Sequence, residues 1–182
     1  MATHVVLLRG VNVGGHNRLP MSEFRRVLES LGYDGVATYL QSGNAVCRAP
    51  GPTDEMADAV ARALEDDLGL AVPVVTRSAD QWAELVAANP LAHLEEDPKR
   101  LHVTFLDGPP DPERVVALAS EAATLAPECI EVVGADAYLH TPHGFADTKF
   151  TPAFLERRLG RVATTRNWRT VLALAEMVDA AG

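Results

Sequence analysis

The order of patterned segments constrains this chain more than any other feature. Residues 4–8 are a short apolar run with β-branched members, which predicts a strand. Pro20 then opens a helix in which Met21, Phe24, Val27, Leu28 and Leu31 recur at helical spacing, and Gly32 closes it. Residues 36–41 and 45–48 predict two strands around a tight Ser42-Gly43-Asn44 turn, because Gly and Asn tolerate positive φ. Residues 53–68 predict a second helix, with acids in its first turn and Gly69 after it. Residues 72–76 predict a fourth strand.

The resulting β-α-β-β-α-β order within residues 1–77 is that of a ferredoxin-like split βαβ unit. A capping box, Ser78-Ala79-Asp80-Gln81, starts a linking helix through Trp82, Leu85 and Val86, and an acidic connector runs on to residue 98. Residues 99–182 then predict a strand at 101–106, a helix at 112–124, a hairpin from 129–133 and 137–141, a helix at 152–159 and a last helix at about 168–178. The second half therefore reads β-α-β-β-α plus a C-terminal helix. His4-Val5-Val6-Leu7-Leu8-Arg9-Gly10 aligns with His102-Val103-Thr104-Phe105-Leu106-Asp107-Gly108 at four of seven positions, which supports duplication. The expected class is α+β: duplicated ferredoxin-like halves, 1–77 and 99–182, packed into one compact unit through 78–98. Val5 to Leu8 do not alternate, so this strand is expected to be buried on both faces.

With 182 residues, 47% of them apolar and 23% charged, the chain can bury a core without disulfides or metal. No apolar run approaches the ~20 residues that cross a bilayer, so no membrane partner is expected. The N-terminal stretch lacks a basic n-region, and only Cys47 and Cys129 occur. These features point to the cytoplasm. The net charge of −9 is uneven. Residues 1–49 carry five Arg against three acids, a net of +2, and residues 50–148 carry five bases against nineteen acids, a net of −14. Residues 149–169 carry six bases against Glu156, a net of +5. The long acidic stretch argues against nucleic acid, while a local basic segment can attract a small anion.

Strands one and two of a β-α-β-β-α-β unit run the same way. The loop at 9–18 and the 41–44 turn therefore emerge at one sheet edge, bringing Arg9, Asn12, Gly14, Gly15 and His16 beside Gln41, Ser42 and Asn44. Glycine-bearing loops of this kind can aim backbone N–H groups at an anion; the alternative is turn chemistry alone. Gly10 and Gly15 have P-loop spacing, but His16-Asn17 follows in place of Lys and Ser/Thr, which excludes that nucleotide site. Thr165, Arg166 and Asn167 at the start of the last helix form a second candidate, where a helix N-terminus beside an arginine suits an anion. Lys149 adds a charge, and one ligand would draw all three groups together. Two histidines, His140 and His143, without a third ligand make no metal site, and no cofactor is implied. Strands 4–8 and 45–48 lack the aromatics of an RNA-recognition motif.

Arg9-Gly10-Val11-Asn12-Val13-Gly14-Gly15, Tyr39-Leu40-Gln41-Ser42-Gly43-Asn44 and Thr164-Thr165-Arg166-Asn167-Trp168 with Thr170-Val171 resemble, in order, the motifs of the bacterial family of domain of unknown function 1697 (DUF1697). The resemblance spans nearly the whole chain and implies a duplicated ferredoxin-like α+β fold. The family has no assigned activity, so no catalytic residue is implied. The chain departs from the family pattern at His16, where Lys is usual, at Thr148-Lys149-Phe150 for Ser-Lys-Leu, and at Arg169 for Asn. The leading expectation is a protein binding a small anionic or phosphorylated ligand in a glycine-rich cleft. An enzyme acting on such a ligand through His16 or Lys149, or a protein- or nucleic-acid-interaction module, are the alternatives. Ligand identity, catalysis and oligomeric state are left open by the sequence.

Overall fold

Strand β1 (Ala2–Leu8) sits inside a four-stranded antiparallel sheet, flanked by β3 (Asn44–Ala49) and β4 (Val74–Ser78), with β2 (Asp34–Tyr39) outside β3. The computed structural model describes residues 1–94 and 96–182; Glu95 of the expected acidic connector lies outside them. These residues form two compact units, Met1–Glu84 with Ala173–Gly182, and Leu85–Leu172.

In the first unit, helices α1 (Met21–Ser30) and α2 (Thr53–Leu68) join the strands in the order β1-α1-β2-β3-α2-β4. Residues paired across β1, β3 and β4 face the same side, so the register separates the faces. Val6, Leu8, Ala45, Cys47 and Val74 share one core with Phe24, Val27 and Leu28 of α1 and Met56, Val60 and Leu64 of α2. Burying Met21, Phe24, Val27 and Leu28, spaced as a helix requires, contributes roughly 1.5–3 kcal/mol for each side chain before entropy is counted. The opposite face carries Val5, Leu7, Val46 and Val75, all at 0–1% exposure. The double burial expected of β1 is therefore observed. On that second face, Met177, Ala180 and Ala181 of α6 (Trp168–Ala181) border Gly35, Ala37 and Arg48 around a groove of about 400 Å³.

The second unit repeats the arrangement. Strands β5 (Leu101–Leu106), β6 (Cys129–Val133), β7 (Asp136–His140) and β8 (Ala163–Asn167) form an antiparallel sheet in the order β6-β7-β5-β8, matching β2-β3-β1-β4. Leu106, Ala137, Leu139 and Ala163 share a core with Leu118 and Ala122 of α4 (Pro112–Ala122) and Leu155 and Leu159 of α5 (Pro152–Leu159). Asp111 accepts from the Glu113 N–H at 2.9 Å to cap α4, and Thr151 accepts from Phe154 N–H at 3.2 Å to cap α5. On the far face, Tyr138 donates to the Leu85 carbonyl at 2.6 Å, at the end of α3 (Ala79–Ala87).

Strand β8 corrects the sequence reading, which gave the second half no fourth strand and treated residues 164–167 as the approach to a helix. Ala163-Thr164-Thr165-Arg166-Asn167 has one aliphatic residue, so no apolar alternation marks it. Its pairing with β5 supplies the stability that composition does not. The strand boundaries of β2 and β4 also shift, to 34–39 and 74–78. The capping box is present: Ser78 Oγ accepts from Gln81 N–H, and Ser78 N–H donates to Gln81 Oε1 at 2.9 Å.

Candidate functional site

The loop after β1 and the β2–β3 turn meet at one sheet edge of the first unit. Leu8 N–H donates to the Gly43 carbonyl at 2.8 Å and Arg9 N–H to the Pro73 carbonyl at 3.0 Å. The second unit repeats both bonds, from Leu106 N–H to Ala135 at 2.9 Å and from Asp107 N–H to Val162 at 3.1 Å. Leu8 thus corresponds to Leu106, Arg9 to Asp107, and Gly43 to Ala135.

That correspondence exposes a difference. The second unit passes from β5 to α4 with five residues, 107–111, and from β6 to β7 with two, 134–135. The first unit uses twelve residues, 9–20, and four, 40–43, for the same connections. Neither long connection contains an acid; residues 9–22 and 35–53 lack Asp and Glu altogether.

Asn12 holds the two connections together. Its Nδ2 donates to the carbonyls of Leu19 at 2.8 Å and Gln41 at 2.6 Å, and its Oδ1 accepts from Leu19 N–H at 2.9 Å. Asn17 Nδ2 donates to the Gly10 carbonyl at 3.0 Å, and Asn12 N–H to the Asn17 carbonyl at 3.1 Å. His16 N–H donates to the Val13 carbonyl at 3.0 Å, so Gly14 and Gly15, at φ +59° and +78°, turn a small hairpin. Gly43 is sterically required. A Cβ there would lie 2.6 Å from Leu8 Cβ and 2.8 Å from Val11 Cγ2, and φ is +76°.

The sequence candidates in this unit therefore divide by role. Asn44 is buried and donates to the Tyr39 carbonyl and to Ser42 Oγ, both at 2.9 Å, so it and Ser42 shape the turn. Asn12 is spent on the loops, and Arg9 is half-buried. Gly14, Gly15, His16 and Gln41 are exposed, as is Arg18. His16, Arg18 and Gln41 have no side-chain hydrogen bond or ion pair among the described residues. The sequence reading missed Asn17, and also Val13 and Leu40, which are 64% and 56% exposed. An aliphatic residue set among Asn, Gly and Gln was the available signal.

Lys149, Thr165, Arg166 and Asn167 lie in the second unit. Thr165 and Thr104 share a hydroxyl hydrogen bond of 2.7 Å. Arg166 is 7% exposed and donates through Nη1 to Thr164 Oγ1 at 2.7 Å and to the Thr165 carbonyl at 2.9 Å. Burial lowers its pKa to about 10, which leaves it charged at neutral pH. Asn167 caps α6, its Oδ1 accepting from Arg169 N–H at 2.9 Å, and its Nδ2 donates to the Lys99 carbonyl at 3.2 Å. Lys149 is exposed. Arg77 on β4 mirrors Arg166: each follows Thr, faces Val5 or Val103 across its sheet, and is buried.

Both cysteines are free thiols. Burial pushes the Cys47 thiol up to about 12, so it stays protonated and unreactive. Among the described residues no helix is long and apolar enough to cross a membrane.

The chain is thus an α+β protein built on two four-stranded antiparallel sheets with the strand-end loops elaborated in one of them. It belongs to the family described as Protein of unknown function (DUF1697), which residues 1–138 match. A solved structure, that of the conserved bacterial protein SP0830 from Streptococcus pneumoniae, is similar at a TM-score of 0.77 and 22% identity, over 97% of this chain and 98% of that one. That likeness concerns the fold. No curated protein matches the sequence.

Proposed function

We propose that the two units are duplicated ferredoxin-like halves, and that the first retains a recognition edge for a small anionic or phosphorylated ligand. The observation carrying this reading is the internal comparison. The same β-α-β-β-α-β order closes with five and two residues in one unit and needs twelve and four in the other. Folding does not demand the added residues, and long ordered loops on a rigid scaffold are where binding residues concentrate. Arg9 stands where the plain half has Asp107, and both added segments are free of carboxylates.

Arg18, His16 and Gln41 contact the ligand with the backbone N–H groups of Gly14 and Gly15. Asn12, Ser42 and Asn44 position the loops, and Arg9 contributes charge from behind them. In the second unit, the bonding of Thr165, Arg166 and Asn167 favours a structural role, with Lys149 left as an exposed cation. Binding is favoured over catalysis because His16 and Lys149 are exposed, whereas an acid or base tuned for reaction is held in a water-poor recess. The two free thiols support a reducing, cytoplasmic setting.

Thermal unfolding with orthophosphate, pyrophosphate and a nucleoside monophosphate tests the reading. At least one should raise the midpoint, since ligand at 100 times its Kd adds about 2.7 kcal/mol. Arg18→Ala should weaken that ligand about tenfold or more through loss of a charge-assisted bond of about 1.5–3 kcal/mol. Arg166→Ala should melt lower while keeping the ligand response. If no anion stabilises the protein, the reading is wrong.

A further inference from the structure

Val13 and Leu40 do not fit a surface that binds only a free inorganic anion. They are among the few exposed large apolar side chains, at 64% and 56%, and each sits in one of the two added segments. The flanking residues Asn12 and Gln41 are joined by the 2.6 Å bond from Asn12 Nδ2 to the Gln41 carbonyl, which fixes both segments at the same edge. Leu40 also holds φ at +55°, a left-handed conformation that glycine or asparagine adopts more cheaply. Aligning Gly43 with Ala135 gives Leu40 and Gln41 no counterpart in the two-residue β6–β7 turn. An exposed leucine in a strained, dispensable position is unexplained by folding.

Their exposure also describes the ligand. A residue lining a small-molecule recess loses much of its surface to its neighbours, because such ligands are enclosed by concave walls. Side chains more than half exposed stand out from the surface, so the partner must supply the concavity. Arg18 supplies a positive charge and His16 an imidazole in the same loop as Val13, and residues 9–22 and 35–53 contain no acid. The complementary surface is therefore apolar at its centre and carboxylate-bearing at its rim.

We propose that this edge docks an acidic segment of another protein, with Val13 and Leu40 as apolar anchors, Arg18 pairing with its carboxylates and the His16 imidazole donating a hydrogen bond to them. The proposal rests on the anion-binding reading and names the bearer of the anion. Aliphatic anchors supply affinity by leaving water, and the flanking charges set partner choice and association rate. The −14 charge of residues 50–148 works to the same end, since it repels acidic segments from that stretch of the protein.

A random peptide library displayed on phage, panned on the full chain and depleted on a Val13→Ser/Leu40→Gly double variant, tests the proposal. Leu40→Gly relieves the left-handed strain, so a folding defect is not expected to masquerade as lost binding. Enriched peptides should carry Asp or Glu beside Leu, Ile, Phe or Trp. Measured by fluorescence anisotropy, the best of them should bind about tenfold more weakly to each of Val13→Ser, Leu40→Gly and Arg18→Ala. Peptides without excess acid, no enrichment at all, or variants binding within about twofold of the parent overturn the proposal. A concentration-dependent dimer that the double variant loses also overturns it, and assigns the edge to a second copy of the chain. Pyrophosphate separates the two levels. If it stabilises the protein through Arg18 while the peptides fail, the anion reading stands and this inference falls; if neither binds, both fall.

Discussion

Replacing Gly43 by alanine should destabilise the first unit far more than a single methyl ordinarily does. The added Cβ would sit 2.6 Å from Leu8 Cβ and 2.8 Å from Val11 Cγ2, both on fully buried residues with nowhere to move. Overpacking of that kind costs about 1–3 kcal/mol. Holding alanine at φ +76° adds about 1–2 kcal/mol. The total, about 2–5 kcal/mol, is a large share of a typical stability of about 5–15 kcal/mol. Gly15→Ala is the control: φ is +78°, but nothing lies within 4 Å of the new Cβ, so only the conformational cost remains. Urea unfolding followed by Trp82 fluorescence, in a Trp168→Phe background, reads the transition, because Trp82 is fully buried. With m near 2 kcal/mol/M, Gly43→Ala should lower the midpoint by about 1–2.5 M and Gly15→Ala by about 0.5–1 M. Equal shifts for the two variants would refute the close approach of the β2–β3 turn to β1.

Three further outcomes follow from single residues. His102 is 6% exposed, stacks on Phe145 at 4.4 Å and has its pKa lowered by burial to about 4. The unfolded chain binds that proton more readily, so the stability is complete above pH 6.5 and is lost as pH falls to 4, by about 3 kcal/mol; His102→Phe should flatten that part of the urea-midpoint-against-pH curve. Asn12→Ala loses three hydrogen bonds and leaves alanine at φ +55°, so it should cost about 2–4 kcal/mol by urea unfolding, while Asn12→Gly recovers only the conformational part. Trp168 is 1% exposed and its indole N–H has no partner among the described residues, so Trp168→Phe exchanges lost packing for a removed desolvation penalty and should stay within about 1 kcal/mol of the parent in the same assay.

Elements with strong periodicity or clear punctuation were legible in the sequence. Thr53–Leu68, with acids in its first turn, and Pro152–Leu159, opened by Pro152, each carry apolar residues at helical spacing with Gly directly after them, and they form as read. Strand β8 was not legible, because its one buried arginine and two buried or half-buried threonines look like solvent-facing residues until β5 pairs with them. The recurrence of Thr-Arg before a helix, at Thr76-Arg77 and Thr165-Arg166, was the unused clue. At the candidate site, the convergence of the 9–18 loop and the 41–44 turn followed from strand direction alone. The division of labour within it did not. Asn12, Asn17 and Asn44 each serve backbone carbonyls, and only the path of the chain decides whether an asparagine faces a carbonyl or solvent. The exposure of Val13 and Leu40 was hidden for the same reason, since aliphatic residues are ordinarily counted toward the core.

The central claim is that the elaborated strand-end loops of the first unit, and not their plain counterparts in the second, recognise an anion. Amide chemical shifts during a pyrophosphate titration of ¹⁵N-labelled full-length protein test it most directly, because glycine amides lie in a separate region of the spectrum. Gly10, Gly14 and Gly15 should shift together with His16 and Gln41, with one common dissociation constant, while Gly108 and Gly134 at the corresponding turns stay still. Shifts at Gly108 and Gly134 of equal size, or a spectrum unchanged at all these positions, would contradict the account.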